Sequence, residues 1–484
     1  MSLDKESVDA VLEVAQPFDP DRVNSSGHPD RLRRHYYIKS ITGTALTIDA
    51  AWLSMGSSLA VASANGGPPG ILYELLAACF YYIFINASLA ELASSIPSSG
   101  SVYHYASVTP GPRYGRINGF FAGIINLFAW LFGIASSVII NSTLVLEIYR
   151  LHHPEFTIEP WHIFVTFLIF NTSVCLFVIF CNRIFPAYQS FGGILLMIFG
   201  VITVVIVTVM APKHASNSFV WTRWSNVTGW PDGVAFIAGM LNGAFTIGTP
   251  DAVTHMAEEM PSPRKDLPKA IALQLVFGTI MAFVFAVAIM YGVNDFDAIL
   301  DVADQFPLTQ FYAQATGSRS ATTGLLMLLL IPSVFIMPAT YVLVGRTLWT
   351  LARDNVVPYS AWMSQTSTEL SCPVQATVVT YVLTTALGAV RLGNSTAFGD
   401  IVASYVILTA MSYLLAILPH LLTGRRNVPI GPFWMGRWGY AVNALAVISI
   451  IVTNIFYCFP FSLPVTTGRV ARRFFLSVVH IKDG

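Results

Sequence analysis

Eleven stretches of this chain are apolar over a length that can cross a lipid bilayer, which takes about 20 residues of helix. They lie near residues 40–64, 70–94, 117–148, 160–181, 188–211, 233–257, 270–292, 322–344, 374–391, 397–420 and 438–460. Hydrocarbon offers no partner to backbone N–H and C=O groups, so segments of this kind must bond internally as helices. The chain is 54% hydrophobic and only 11% charged, where soluble domains carry about 25% charged residues. The pattern predicts an all-α integral membrane protein. No Pro-, Ser- or charge-rich linker divides the set, so one transmembrane domain is expected over 39–461. Residues 1–38 are polar, lack an apolar core, and read as a disordered cytoplasmic tail.

Loop charge gives the orientation. With the amino terminus in the cytosol, seventeen Lys and Arg residues fall on the cytosolic side up to the eleventh span and five on the outer side. That asymmetry is the positive-inside pattern, and a multi-pass plasma-membrane protein is the expectation. The sequon at Asn226–Thr228 then falls in an outer loop, where glycosylation is chemically possible. Residues 462–484 form an atypical tail: the apolar part at 474–481 is too short to span, and four basic residues would lie outside. This tail either rests on the membrane surface or stands where a further helix belongs.

Composition also excludes functions. The net charge is zero, so nucleic-acid binding lacks an electrostatic footprint. The five cysteines have no ligand spacing, and His152-His153 has no accompanying Cys or carboxylate pattern for a metal. There is no nucleophile elbow and no glycine loop followed by Lys for phosphate. An enzyme, a cofactor and an ATP-driven pump are therefore not expected.

Two of the apolar segments are built to break. GTALTIDAAWLSMG at 43–56 and GMLNGAFTIGTPD at 239–251 each combine helix-loosening Gly or Pro with a carboxylate, and they open the first and sixth spans. Interrupted helices at corresponding positions of two halves point to the central site of a secondary transporter. Freed backbone groups survive at that depth only against a cavity or ligand, and half-helix ends carry partial charge that suits ionic solutes. The candidate substrate shell is therefore Ile48, Asp49, Ala50, Ala51 and Trp52 with Asn242, Gly243, Ala244, Phe245, Thr246 and Ile247. The competing reading is that the glycines only permit close helix packing.

Asp49 is the sharpest residue. A mid-membrane carboxylate costs roughly 2.5–3.5 kcal/mol on insertion scales and calls for a partner or cavity. Trp52, three residues on, is expected on the same face, and an anion beside an indole suits an ammonium group. Choline, a betaine or an amino acid fits that receptor; alternatively Asp49 bonds the amides of the broken helix. Asn126 and Trp130 are candidates for the cavity wall. Asp251 and His255, four apart, either relay protons or form a structural hydrogen bond. Glu258 and Glu259 lie beside Arg264 and Lys265 and are expected to latch an inner gate as charge pairs. Glu91 is expected to anchor a helix end locally, and Glu74 to lie near the outer surface and reach water. The fifth segment carries no lysine or carboxylate that could serve coupling.

Three longer motifs carry a resemblance: AELASSIPSSGSVY at 90–103, DAVTHMAEEMPSPRKDLPK at 251–269 and GRTLWTLARD at 345–354. With these the chain, over roughly 35–465, resembles the fungal amino-acid/choline permease branch of the amino acid–polyamine–organocation transporter superfamily. The resemblance implies a five-plus-five inverted-repeat transporter fold with discontinuous helices 1 and 6 and two additional helices. Against that pattern the twelfth helix is missing or replaced. It further implies alternating access, an amino acid or related amine as substrate, and a gating aromatic at Phe245. Commonly small residues occupy the stretch where this chain has Asp49. Proton coupling is the expected drive. The alternative is a non-transporting nutrient receptor or an impaired permease homologue.

Overall fold

The computed structural model describes residues 38–300, 306–367, 369–370, 372–393 and 397–463. The expected tails at 1–38 and 462–484 lie outside them except for Ile38, Ser462 and Leu463. Thirteen helices matter for the argument: α1 (Ile38–Asp49), α2 (Ala51–Ser57), α3 (Ser63–Ser95), α4 (Ser101–Val108), α5 (Gly115–His152), α6 (Pro160–Phe180), α7 (Phe185–Met210), α8 (Asp232–Ile247), α9 (Pro263–Tyr291), α10 (Arg319–Arg353), α11 (Val374–Gly393), α12 (Ala397–Leu422) and α13 (Trp438–Tyr457). Among the described residues, eight helices are long and apolar enough to cross a membrane, and α8 and α11 are shorter apolar helices. The first expected span is α1 and α2 together, so each of the eleven apolar stretches corresponds to helix. The protein is an all-α membrane protein with no strand among its described residues.

The first break is a single residue. Ala50 takes φ 39°, ψ 45°, the left-handed conformation that costs a non-glycine residue about 1–2 kcal/mol. Relieving that strain is testable. Ala50→Gly is expected to raise stability by roughly 0.5–1 kcal/mol, net of glycine's entropy cost, whereas a β-branched Ala50→Val is expected to lose more than about 1 kcal/mol. Thermal unfolding of the detergent-purified variants measures both.

The second break does not lie where the glycines suggested. α8 stays helical from Asp232 through Ile247, and residues 248–253 are irregular before a 3-10 turn at Thr254–Glu259. Pro250 explains the position, because it lacks an N–H and drives Thr249 out of the helical region. Gly239 and Gly243 instead let α8 approach α3: a side chain at Gly239 would occupy the space of the Glu74 carboxyl, and one at Gly243 would lie 2.6 Å from Ala78 Cβ. Small residues four apart commonly serve this packing in membranes. At the start of α3, Gly67 adopts φ 66°, ψ −155°, and Pro68-Pro69 begin the helix that follows.

Around this framework α12 and α10 pack along α5, α8 and α9 pack along α3, α1 packs against α7, and α11 lies against α6. The connection at 221–231 folds over the α3 end remote from Ile38. Its Ser225 N–H donates to Gly66 O at 3.2 Å and its Val227 N–H to Ala64 O at 3.0 Å. In that connection the sequon is engaged. Asn226 Nδ2 donates to Trp230 O at 2.7 Å and Asp232 Oδ1 at 3.0 Å, its Oδ1 accepts from Thr228, and Thr228 is buried. In the folded protein the acceptor amide is therefore already engaged.

Candidate functional site

A cavity lies at the first break, walled by α1, α2, α5, α8, α10 and α12, with Thr249 from the second break. Ile48 and Asp49 come from the last turn of α1, Leu53 and Ser54 from α2, and Ser333 and Thr340 from α10. Three aromatic rings face it: Trp130 of α5, Phe245 of α8 and Tyr405 of α12. The Tyr405 ring stands between the other two, 5.4 Å from Trp130 and 5.8 Å from Phe245 between centroids, edge-on to both. Such ring faces attract a cation within about 6 Å.

Asp49 joins the two breaks. Its Oδ1 accepts from Thr249 Oγ1 at 3.0 Å and from Gln274 Nε2 at 3.2 Å. Gln274, on α9, also donates to Thr249 O at 3.0 Å, tying the second break to α9. The second carboxylate oxygen, Oδ2, has no hydrogen-bond partner and lies against Gly278 of α9. A buried carboxylate thus stands at the cavity wall with no cation of the protein in contact with it among the described residues.

The structure separates residues the sequence grouped. Of the candidate shell, Ile48, Asp49 and Phe245 line the cavity. Trp52 does not: its indole Nε1 donates to Leu196 O of α7 at 3.1 Å and its ring packs 5.5 Å from Phe285. The left-handed Ala50 resets the helical phase, so the spacing of three from Asp49 to Trp52 no longer places both on one face. Ala50 and Ala51 are buried in the broken turn, and Ala244 and Ile247 in the packed part of α8. Gly243 meets α3. Asn242 and Thr246 face helix α2: Asn242 Oδ1 accepts from Ser58, its Nδ2 contacts Met55 Sδ at 3.2 Å, and Thr246 Oγ1 lies 3.8 Å from the same sulfur.

Next to the cavity wall, Asp251 is a hub. Its Oδ2 accepts from Asn126 Nδ2 at 2.9 Å and Trp130 Nε1 at 3.0 Å, and its Oδ1 from Tyr413 OH at 2.6 Å. His255 Nε2 is 3.5 Å away, and its Nδ1 lies 3.1 Å from Thr347 Oγ1 of α10. The hub fastens the second break to α5, α10 and α12 at once and orients the Trp130 ring. This arrangement fits the structural alternative for Asp251 and His255, since donors already occupy both carboxylate oxygens. Asn126 serves the hub rather than the cavity wall.

The expected partners of Glu258 and Glu259 are corrected. Glu259 pairs with Arg346 of α10 through two contacts, 2.6 Å and 3.1 Å, and Glu258 Oε2 meets Arg353 Nη1 at 3.4 Å. Arg264 turns away and donates to Ser95 O at 3.2 Å. Glu258 also exchanges reciprocal hydrogen bonds with Ser99, each 3.3 Å. The turn after the second break is therefore bolted to α10 and to the α3–α4 connection. The AELASSIPSSGSVY and GRTLWTLARD motifs supply those partners, although nothing local in the sequence pairs them. Glu91 likewise bonds far along the chain, to Arg425 and to the Met435 N–H at 3.0 Å. Glu74 does not reach water: it is 1% exposed.

Relatives bear on what such a cavity serves. A family profile described as amino acid permease matches residues 39–481. A choline transporter of Saccharomyces cerevisiae is 30% identical over 440 residues, covering 91% of this chain and 78% of that protein. A swainsonine transporter of Arthroderma benhamiae is 26% identical, covering 84% and 80% of the two chains. A 7-keto 8-aminopelargonic acid transporter of Saccharomyces cerevisiae is 22% identical, covering 93% and 91%. A multi-pass helical bundle with a cavity at its broken helices, matched over nearly its whole described length, belongs to the amino acid permease family of membrane transporters.

Proposed function

We propose that this transporter moves a small amine with a cationic head, choline or a close relative, by alternating access at the cavity between the two broken helices, with a proton gradient as the drive. The carrying observation is the meeting of Trp130, Phe245 and Tyr405 with the Asp49 carboxylate around one space. Aromatic faces bind quaternary ammonium groups without needing hydrogen bonds from them, and a desolvated contact of this kind is worth about 2 kcal/mol. The neighbouring carboxylate adds a favourable field: at an effective dielectric of about 20, opposite charges about 6 Å apart attract by roughly 3 kcal/mol. The choline transporter among the relatives supports the same substrate class. In this reading the two broken helices belong to corresponding halves of a five-plus-five repeat. The Glu258–Arg353 and Glu259–Arg346 pairs close the cytosolic side, in keeping with the positive-inside loops.

Uptake of labelled amines by cells expressing the protein tests this. Wild type is expected to accumulate choline saturably, and Asp49→Asn to lose at least about tenfold in apparent affinity for cationic amines, with less effect on net-neutral ones. No uptake across a broad amine panel overturns the reading, and binding without uptake assigns a receptor instead.

A further inference from the structure

Glu74 is left unexplained by everything above. It lies on α3, 1% exposed, and neither of its carboxyl oxygens has a hydrogen-bond partner. No cation contacts it among the described residues. It fills the space that the missing side chain of Gly239 leaves on α8, and Gly70, one turn earlier on α3, stands beside its Oε1. The titratable group facing it from α13 is the Tyr457 hydroxyl, 3.1 Å from Tyr81 of α3. Its contact face on α8 is glycine, and no ionisable group of α9 or α12 bonds to it among the described residues. An ionised carboxylate in such surroundings bears its whole desolvation cost without compensation, so in this packing the group is stable as the neutral acid.

Its position also ties it to the cavity. α8 presents Gly239 to Glu74, Asn242 to Ser58 and Met55 of the helix-1 segment, and Phe245 to the substrate space. These are successive turns of one helix, so a tilt of α8 that moves Phe245 also uncovers Glu74. On the side remote from Ile38 the Trp224 ring packs on Gly66 and lies 3.5 Å from where a Gly70 side chain would stand, a position that Glu74 Oε1 approaches to 3.4 Å. The half-buried indole sits in a connection that is otherwise largely exposed.

We infer that Glu74 is the proton-binding site of transport, taking up a proton from the outer solution when α8 and the Trp224 connection part from α3, and returning to its dry seat only as the neutral acid. Binding forms one O–H bond on the carboxylate with a proton from water, and release on the other side breaks it; no other group is consumed. The inference rests on the transport reading above and names the coupling residue within it.

The test uses purified protein in liposomes and two assays. Exchange of internal for external labelled choline without any gradient tests the transport reading. Accumulation under an imposed pH gradient tests the coupling: with one proton per substrate, a gradient of one pH unit drives about tenfold accumulation. The expected result for Glu74→Gln, which keeps the shape of the neutral acid, is persistent exchange with accumulation reduced to equilibration and a flat dependence on external pH. Glu74→Asp, which keeps a titratable carboxyl, is expected to retain part of the drive. Gradient-driven accumulation by Glu74→Gln equal to wild type overturns the inference. If Glu74→Gln does not fold, a pH-sensitive dye outside wild-type liposomes decides: choline influx without proton consumption overturns it. Absence of exchange in wild type sinks the transport reading itself, which is a different result.

Discussion

Tyr405→Ala is expected to raise the half-saturation concentration for choline by at least about tenfold, while Tyr405→Phe stays within about threefold of wild type. The ring stands between Trp130 and Phe245 and faces the cavity with both, so truncation removes the middle wall of the aromatic enclosure. A cation loses about 2 kcal/mol when a desolvated ring face is taken away, and the two remaining rings lose their edge-on support. Phenylalanine keeps the face and drops only the hydroxyl. Concentration-dependent uptake of labelled choline, corrected for surface expression, separates the two variants. Equal loss in both would mean that the hydroxyl rather than the ring faces the substrate.

Asp251→Ala is expected to cost about 3–5 kcal/mol and to leave little folded protein, because it strands buried donors on several helices. Asn126, Trp130 and Tyr413 all donate to this one carboxylate, and His255 borders it. Asp251→Asn is expected to be milder: one acceptor oxygen survives, but the new amide must donate where donors already converge. Fluorescence-detected size exclusion with a thermal ramp measures the order wild type, then Asn, then Ala. A monodisperse Asp251→Ala with an unchanged midpoint would show that the hub does not hold the second break in place.

Much of this architecture was legible beforehand because lipid leaves the backbone few choices. The eleven apolar stretches correspond to helix, and the break in the first span lies inside the stretch that combines Gly, Thr and Asp. The details that failed are those where local spacing meets long-range packing. Asp49 and Trp52 looked like one face, but a left-handed Ala50 between them ends the periodicity. Gly239 and Gly243 looked like loosening points in α8, whereas the helix runs on to Ile247, just short of Pro250, and the glycines receive α3. Glu258 and Glu259 had nearby cations in sequence, yet their partners Arg353 and Arg346 come from a helix some 90 residues on. Tyr405 carried no signal at all, being one aromatic among many in an apolar segment. Glu74 was misplaced because distance along the helix says nothing about whether a neighbour leaves room for a carboxyl.

The central claim is that the space between the two broken helices receives an ammonium head. An experimental map of the purified protein saturated with choline tests this most directly. Density for the ammonium group is expected within about 6 Å of the Trp130, Phe245 and Tyr405 ring centroids, on the cavity side of Asp49. Ordered choline held elsewhere, with this cavity empty or filled by side chains, would contradict it.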